Sequence, residues 1–371
     1  MSFSSFDAQM MRIALTLAQR GLGTVAPNPA VGAVLADEAT GEVIGRGWTQ
    51  PGGRPHAETE ALRRAGPRAR GATLYVTLEP CAHFGKTPPC ADAVIKAGVR
   101  RVVVGVGDPD PRTQGDGIAR LKAAGITVEV GLEEGEARWT TLGHIRRITD
   151  RRPFVQLKMA LASDGTLPRG AGGQPLMVTG PEARAAAHRL RAESDAILVG
   201  GGTARDDDPE LTCRLAGLEW RSPLRVVLSR SLDLPSGLKL VRTARQVPTW
   251  IFTGEDAPAA RAGDFEATGA RVERVPCGAA GLSLAHVLSR LADAGMTRLL
   301  VEGGAATWRA FSEAGLADEV ALFQAGAGKA DAAALSELAA RYAPGLDLAL
   351  AAHRRVGTDA LALLRVRQVG S

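Results

Sequence analysis

The stretch PHAETEALRRAGPRARGATLYVTLEPCAHFGKTPPC, residues 55–90, carries the residues that decide both the fold and the chemistry. Within it, His56, Cys81 and Cys90 are three ligands of the kind that bind zinc. Three protein ligands leave the fourth tetrahedral position open to water, which is typical of a catalytic zinc site. Glu58 follows the histidine by two residues and can act as a general base on that water. The pattern predicts a hydrolytic metal centre.

The spacing of these residues is that of zinc nucleobase deaminases, with one difference. Their signature is H-x-E followed by P-C-x-x-C. Here the second thiolate, Cys90, stands nine positions after Cys81 instead of three. A disulfide between the two cysteines is the alternative interpretation. Four cysteines in 371 residues without a signal peptide favour a reducing compartment, so we favour the metal.

Length and composition predict a globular protein of two domains. A chain of 371 residues is too long for one ordinary core, and 45% hydrophobic with 23% charged residues is usual for soluble proteins. Near the N-terminus Met10, Ile13 and Leu17 recur at helical spacing, which indicates an amphipathic helix and not a secretion signal. No apolar run reaches the 18 or so residues that a membrane span needs. We expect a cytoplasmic protein that does not contact the membrane.

The positive charge raises the question of nucleic acid. A net charge of +5 and a pI near 9.3 suit a polyanion, but the arginines are scattered and form no stripe interleaved with aromatic residues. We therefore expect no nucleic-acid partner. A nucleic-acid deaminase with the same zinc chemistry is the alternative, and it would need a basic surface beside a groove that admits a flipped base.

Strands and helices alternate in the first half, which predicts a layered α/β sheet with a site at the strand ends. The predicted strands are 30–35, 43–47, 73–77, 102–106 and 127–130, and the helices after the first are 56–64, 91–97 and 118–124. The basic segment 146–153 is predicted to be a linker. The resulting domains are residues 1–147 and 148–371.

The second half repeats the α/β alternation and adds two glycine-rich turns. Its predicted strands are 154–159, 196–199, 224–228, 249–252, 298–301, 319–323 and 360–366, with helices at 180–192, 283–294 and 307–314. One turn is 200–203; the other, 302–307, opens a helix whose N-terminus could hold a phosphate. Glycine after a strand is more often simple turn geometry. Neither turn is G-x-G-x-x-G, which disfavours a Rossmann cofactor site.

Longer blocks of sequence carry a family resemblance. They are PNPAVGAV, HAE, LEPCAHFGKTPPC, LKMALASDG, TGPEARAAAHRLRAESDAILVGGGT, DDDPELTCR and LLVEGG. Together they cover nearly the whole chain, which resembles the bifunctional riboflavin-biosynthesis deaminase/reductase family. The resemblance implies a cytidine-deaminase-like three-layer αβα domain followed by a dihydrofolate-reductase-like α/β domain.

For the first domain, the resemblance implies hydrolytic deamination of 2,5-diamino-6-ribosylamino-4(3H)-pyrimidinone 5′-phosphate. One Zn²⁺ per chain would be held by His56, Cys81 and Cys90, with Glu58 as the proton shuttle. The positions that match substrate contacts of the family are Asn28, His83 and Lys86. The segment 108–111 resembles a family loop near the site and receives no role.

For the second domain, the resemblance implies reduction of the ribosyl side chain of 5-amino-6-(5-phosphoribosylamino)uracil to ribityl by NADPH. The implied cofactor contacts are Ala160, Thr203, Asp207, Gly304, Ala305, Ala306 and Thr307. The implied substrate contacts are Arg191, Leu211, Arg214 and Glu302, and guanidinium groups suit a phosphate. Lys158 and Asp164 are candidate proton donors. The resemblance also implies a homo-oligomer, a dimer or tetramer.

The chain departs from the family pattern at three positions. Thr49 stands where the family often has a histidine, and Pro175 and Met177 stand where many members have serine and tryptophan. The last two remove a hydroxyl and a ring from the expected reductase site. An active deaminase with a degenerate, non-catalytic second domain is therefore a further alternative.

Overall fold

The protein, described by a computed structural model over residues 3–168, 178–278, 281–327 and 331–367, forms two compact units. Unit 1 is residues 1–152 and unit 2 is residues 153–371. The helices of unit 1 are α1 (Ser5–Ala18), α2 (Ala57–Ala65), α3 (Cys90–Ala97), α4 (Asp116–Ala123), α5 (Glu134–Thr140) and α6 (Leu142–Thr149). Its strands are β1 (Gly32–Asp37), β2 (Glu42–Trp48), β3 (Thr73–Leu78), β4 (Arg101–Val106) and β5 (Thr127–Val130).

The unit 1 sheet has the strand order β2-β1-β3-β4-β5. Strand β1 is antiparallel to β2 and β3, whereas β3, β4 and β5 are parallel. Every residue of β3 is buried, and so are all but the first of β4. Parallel strands covered on both faces read as such continuous apolar runs.

Glycines in the strands let two helices approach opposite faces of this sheet. A Cβ on Gly32 would lie 1.9 Å from the carbonyl oxygen of Ala14 in α1. One on Gly47 would lie 2.4 Å from the carbonyl oxygen of Ala57 in α2. Gly47 pairs with Ala33, the neighbour of Gly32, so the two glycines face opposite sides. This confirms the three-layer αβα fold and fixes the N-terminus of α2.

The predicted linker at 146–153 is wrong for its first half. Helix α6 continues through Thr149, and the predicted boundary at 147 falls inside it. Leu142 and Ile145 are buried, while Arg146 and Arg147 lie on the more exposed side. The arginines at the start of the charge run, Arg146 and Arg147, are thus on the polar face of an amphipathic helix.

Unit 2 is a second α/β unit, as the sequence predicted. Its helices are α7 (Pro181–Ala192), α8 (Gly201–Asp207), α9 (Lys239–Arg242), α10 (Ala259–Ala267), α11 (Leu284–Asp293), α12 (Ala305–Glu313) and α13 (Ala332–Tyr342). Its strands are β6 (Phe154–Leu161), β7 (Ala196–Gly200), β8 (Leu224–Leu228), β9 (Thr249–Gly254), β10 (Arg271–Val275), β11 (Cys277–Gly278), β12 (Gly281–Leu282), β13 (Arg298–Val301), β14 (Glu319–Gln324), β15 (Leu348–Val356) and β16 (Asp359–Val366).

The main sheet of unit 2 has nine strands in the order β10-β9-β8-β7-β13-β6-β14-β16-β15. The seven strands from β10 to β14 are parallel, and β16 and β15 add antiparallel strands at one edge. The carboxyl ends of parallel strands meet at one edge, where α/β sheets bind ligands. No helix in the described part of the chain is long and apolar enough to cross a lipid bilayer.

Candidate active sites

Three elements of unit 1 bring the predicted metal ligands together. His56 immediately precedes α2, Cys81 follows β3, and Cys90 is the first residue of α3. His56 Nδ1 lies 3.3 Å from Cys90 Sγ and 3.7 Å from Cys81 Sγ. Zinc–ligand bonds at tetrahedral angles place nitrogen and sulfur about 3.6 Å apart. Within the described residues these three side chains are a group of donors that could hold one ion, so the residues fit zinc.

The two cysteines are free thiols, not a disulfide. The Cys90 thiol and its backbone N–H, 3.3 Å away, donate to Cys81 Sγ and lower the pKa of Cys81 to about 4. The same pairing, with burial, raises the pKa of Cys90. Zinc binds thiolates, so occupying the site requires Cys90 to lose its proton.

Glu58 lies in the first turn of α2 and lines the same cavity as His56 and Cys81. Its side chain is buried, and burial raises the pKa of this carboxyl to about 7. The positive charge of a zinc ion would lower that pKa again. A carboxylate with this placement suits proton transfer beside a metal-bound water.

The cavity, of about 390 Å³, also receives the three predicted substrate contacts Asn28, His83 and Lys86. The amide nitrogen of Asn28 donates to the carbonyl oxygen of Gly53 at 2.8 Å and lies 3.3 Å from His56 Nε2. His83 Nδ1 is 3.2 Å from the hydroxyl of Thr113. The structure therefore gathers these residues around the metal ligands.

Thr49, the departure from the family pattern, also lines this cavity and is buried. Its hydroxyl donates to the carbonyl oxygen of Pro29 at 3.0 Å and accepts from the backbone N–H of Val31 at 3.1 Å. Thr49 thus holds the segment that carries Asn28, although it offers the cavity no imidazole.

Sequence reasoning missed a buried carboxylate that shapes the cavity. Glu79 accepts backbone N–H bonds from Asp108 at 3.3 Å, Gly115 at 3.1 Å and Ile118 at 3.1 Å. These bonds hold the segment after β4 against the end of β3. In that segment, Asp108 Oδ1 lies 3.0 Å from His144 Nε2, and both side chains line the cavity. In the sequence, this region was marked by the segment 108–111, which resembles a family loop near the site but for which no role was predicted.

In unit 2 the second glycine-rich turn forms a narrow cradle. A Cβ on Gly303 would lie 2.5 Å from Thr307 Cβ, and one on Gly200 would lie 2.8 Å from Thr307 Oγ1. Gly304 precedes α12, and a Cβ there would lie 3.7 Å from Thr203 Oγ1. The cradle is therefore bare backbone beside a helix N-terminus, an arrangement suited to a phosphate.

A cavity of about 1130 Å³ opens from this cradle, and Ala305, Ala306 and Thr307 line it. Its size accommodates a dinucleotide, so the residues present fit NADPH. Of the seven predicted cofactor contacts, four do not line it: Thr203 and Gly304, which lie at the cradle itself, and Ala160 and Asp207. Ala160 is half-buried in β6, and Asp207 is exposed at the end of α8.

Two predicted substrate contacts, Arg191 and Glu302, are bound to each other. Arg191 Nε lies 2.7 Å from Glu302 Oε1, and Nη2 lies 2.8 Å from Oε2. Arg191 Nη1 donates to the carbonyl oxygen of Thr212 at 2.9 Å. Burial alone would raise the pKa of Glu302, but the positive charges of Arg191 and Lys158 hold this pKa at about 2. The Arg191 guanidinium thus binds both Glu302 and the backbone at Thr212.

The other two predicted substrate contacts differ in exposure. Leu211 is buried in a hydrophobic cluster and has a φ of 55°. Arg214 is exposed, and its Nη1 lies 3.1 Å from Glu210 Oε2. Of the two predicted arginines, Arg214 is the more exposed.

The candidate proton donors also differ in placement. Lys158 Nζ lies 4.0 Å from Glu302 Oε2 and above the ring of Phe323. Asp164 accepts from the backbone N–H and hydroxyl of Thr166 at 2.9 and 2.7 Å. Lys158 therefore joins the Arg191–Glu302 pair, whereas Asp164 closes a local turn. Pro175 and Met177 lie outside the described residues.

The cradle yields a first prediction. Replacing Gly303 by Ala forces Cβ into Thr307, and overpacking of this kind costs about 1–3 kcal/mol. We expect calorimetric affinity for NADP⁺ to fall about 10-fold. Gly202→Ala is the matched control, because a Cβ there meets nothing within 4 Å. Equal affinities in the two variants would show that the cradle does not hold the cofactor.

Comparison with known proteins places each unit in a family. Residues 4–106 match the cytidine and deoxycytidylate deaminase zinc-binding region, and residues 153–361 match the RibD C-terminal domain. The riboflavin biosynthesis protein RibD of Aquifex aeolicus is 40% identical over 317 residues, which are 85% of this chain and 86% of that protein.

Solved structures agree over almost the full length. RibD of Acinetobacter baumannii has a TM-score of 0.81 at 32% identity, over 98% of this chain and 99% of that one. A diaminohydroxyphosphoribosylaminopyrimidine deaminase/5-amino-6-(5-phosphoribosylamino)uracil reductase from Thermotoga maritima has a TM-score of 0.79 at 32% identity, with the same coverage. The chain belongs to the RibD family of bifunctional riboflavin-biosynthesis enzymes, which join a zinc-dependent deaminase to a reductase.

Proposed function

We propose that the chain catalyses two consecutive steps on one phosphorylated pyrimidine. Unit 1 hydrolyses the 2-amino group of 2,5-diamino-6-ribosylamino-4(3H)-pyrimidinone 5′-phosphate. Unit 2 then reduces the ribosyl side chain of 5-amino-6-(5-phosphoribosylamino)uracil to ribityl with NADPH. The observation that carries the first step is the cluster of His56, Cys81 and Cys90 with buried Glu58 in one cavity.

In the deaminase site, each side chain has a task that follows from its position. Zinc held by the imidazole and two thiolates would supply hydroxide at neutral pH. Glu58 accepts the proton of the attacking water and passes it to the departing amino group. Asn28 and His83 hold the pyrimidine, and exposed Lys86 at the cavity rim binds the phosphate or a polar ring group.

In the reductase site, NADPH would supply the hydride. The protein must supply a proton and hold the opened ribose. Lys158, 4.0 Å from Glu302, is the proton donor that the geometry favours over Asp164. Arg191 fixes the Glu302 carboxylate by two hydrogen bonds, and Glu302 orients the ribose hydroxyls. Arg214 binds the 5′-phosphate.

Five of the seven predicted cofactor contacts are part of this proposal. The backbone of Gly304, Ala305 and Ala306 and the side chains of Thr203 and Thr307 surround the pyrophosphate. The cradle at the start of α12 is the observation that supports this assignment. Ala160 and Asp207 stay predictions, as do the cytoplasmic location and the homo-oligomeric state.

Metal removal tests the deaminase half. Chelation is expected to abolish ammonia release and leave NADP⁺ affinity unchanged, with zinc restoring release. Elemental analysis should find no zinc in Cys90→Ala. The control Cys277→Ala, which changes an exposed free cysteine, should keep one zinc per chain. Undiminished ammonia release from metal-free protein would refute the zinc mechanism.

A further inference from the structure

Arg54 is a basic residue of the deaminase cavity to which the sequence patterns assign no role. It stands two residues before the metal ligand His56, is half-buried, and lines the 390 Å³ cavity of unit 1. Among the residues that the structure describes, no carboxylate forms an ion pair with its guanidinium. A guanidinium without a counter-charge on a ligand cavity is suited to bind an anion.

The guanidinium of Arg54 is held against the loop that joins Cys81 to Cys90. Its Nη1 donates a hydrogen bond to the hydroxyl of Thr87. A Cβ on Gly85 would lie 3.4 Å from Arg54 Nη2, so this nitrogen lies beside the bare backbone of the same loop. A guanidinium has five N–H groups, and the bond to Thr87 uses one of them. Arg54 is therefore held in position and keeps donors for a ligand.

Lys86, on the same loop, is a second cation of this cavity. It is exposed, lines the cavity, and has no carboxylate partner within the described part of the chain. Lys86 directly follows Gly85, the residue whose backbone lies beside the Arg54 guanidinium. Arg54 and Lys86 thus form one positively charged edge of the cavity, which we call the basic rim.

The other two arginines that line the cavity already have partners in the protein. Arg112 Nε lies 2.9 Å from Asp110 Oδ1, and its Nη2 also bonds to Asp110 Oδ2. Arg147, in α6, has interactions of its own within the chain. Asp108 lines the cavity together with Asp110, so the segment after β4 contributes two carboxylates. A phosphate is repelled by these carboxylates and attracted by the basic rim.

The proposed substrate carries its phosphate away from the carbon that reacts. Its 2-amino group must approach the metal-bound water beside buried Glu58. The 5′-phosphate is attached through the ribosylamino group, which stands on a different carbon of the pyrimidine. The phosphate therefore extends from the buried metal ligands toward the exposed part of the cavity, where Lys86 lies.

We propose that Arg54, together with Lys86, binds the 5′-phosphate of the deaminase substrate and makes unit 1 selective for the phosphorylated pyrimidine. The inference rests on the deaminase function proposed above. A guanidinium can donate two parallel hydrogen bonds to a phosphate, and such charge-assisted bonds are the stronger ones. The phosphate does not change during deamination, so this contact stabilises the bound substrate and the transition state equally. It therefore acts on KM and not on kcat.

The rate of ammonia release by the zinc-loaded, full-length protein tests this selectivity. The two substrates are 2,5-diamino-6-ribosylamino-4(3H)-pyrimidinone 5′-phosphate and the same compound after enzymatic removal of the phosphate. We expect Arg54→Ala to raise KM for the phosphorylated substrate about 10- to 100-fold, the effect of one or two charge-assisted hydrogen bonds. The value of kcat should stay within about 3-fold of wild type, because uniform binding is lost.

The dephosphorylated substrate shows whether the variant is intact. Its kcat/KM should change less than about 2-fold in Arg54→Ala, because the lost contact is one that this compound never makes. Arg54→Lys should retain part of the preference for the phosphorylated substrate, because lysine offers a point charge without the planar fork. Arg46→Ala is the matched control: it removes an exposed arginine of β2 outside the cavity and should change neither reaction.

Several results would overturn the inference. They are an equal loss for both substrates in Arg54→Ala, no loss for either, or a fall in kcat with KM unchanged. Removal of the preference by Arg147→Ala alone would assign the phosphate to α6 instead. A wild type that deaminates both substrates equally well also contradicts the inference. A wild type that releases ammonia from neither refutes the proposed deaminase function itself.

Discussion

Replacing Glu58 by Gln is expected to stop ammonia release while the protein keeps its metal. The amide has the shape of the carboxylate but cannot accept the proton of water, and general acid–base catalysis contributes about 10²–10⁴-fold. Glu58 is not one of the three side chains whose donor atoms cluster, so its loss should spare the ion. Ammonia release should fall by about 10³-fold, with one zinc per chain by elemental analysis.

Two further measurements separate this effect from misfolding. NADP⁺ affinity, which depends on unit 2, should not change in Glu58→Gln. Glu60→Gln is the matched control, because Glu60 lies in the same first turn but bonds to Arg63 and Arg64. Turnover in Glu58→Gln within a few-fold of wild type would remove this carboxylate from the mechanism.

Replacing Arg191 by Met is expected to destabilise unit 2 strongly. Glu302 would keep a buried carboxylate with its main partner gone, and breaking one side of a buried pair costs about 3–5 kcal/mol. Amide hydrogen exchange in β7 and β13 measures the free energy of opening of these strands, and this free energy should fall by the same amount. Arg189→Ala on the same helix breaks only the more exposed pair with Glu193, worth about 0–1 kcal/mol.

The difference between wild type and Arg191→Met should depend on pH in a defined direction. The pKa of Glu302 is depressed from 4.5 to about 2 in the folded protein. The stabilisation by Arg191 is therefore complete above about pH 4.5 and is lost as the pH falls toward 2. The shift corresponds to about 3 kcal/mol. A difference that is constant across this range would show that the pair is not ionic, and Arg191→Met/Glu302→Leu should recover most of the stability.

Much of the fold was predictable because its signals are local. Apolar runs gave the strands β5, β8 and β13 at their observed bounds. The β15 strand and α13 were missed. Strand β15 is largely exposed at the sheet edge and shows no apolar alternation, and the alanine-rich α13 has a weak pattern.

The site residues that are close together along the chain could be predicted from their spacing. His56 and Glu58 are neighbours on one turn, and the cysteines follow within a specific block. The supporting contacts were not predictable, because their partners are far apart in sequence. Arg191 and Glu302 are 111 residues apart, and no pattern in the sequence predicted that they bind each other. Glu79 likewise holds a backbone segment 29 or more residues away.

The direct test of the account is a product analysis with one pyrimidine. Zinc-loaded protein is given 2,5-diamino-6-ribosylamino-4(3H)-pyrimidinone 5′-phosphate with and without NADPH, and products are identified by mass spectrometry. We predict one ammonia and 5-amino-6-(5-phosphoribosylamino)uracil without NADPH, and the ribityl product with one NADPH oxidised when it is present. Deamination without any NADPH oxidation would leave unit 2 non-catalytic, and absence of ammonia in both reactions would contradict the central claim.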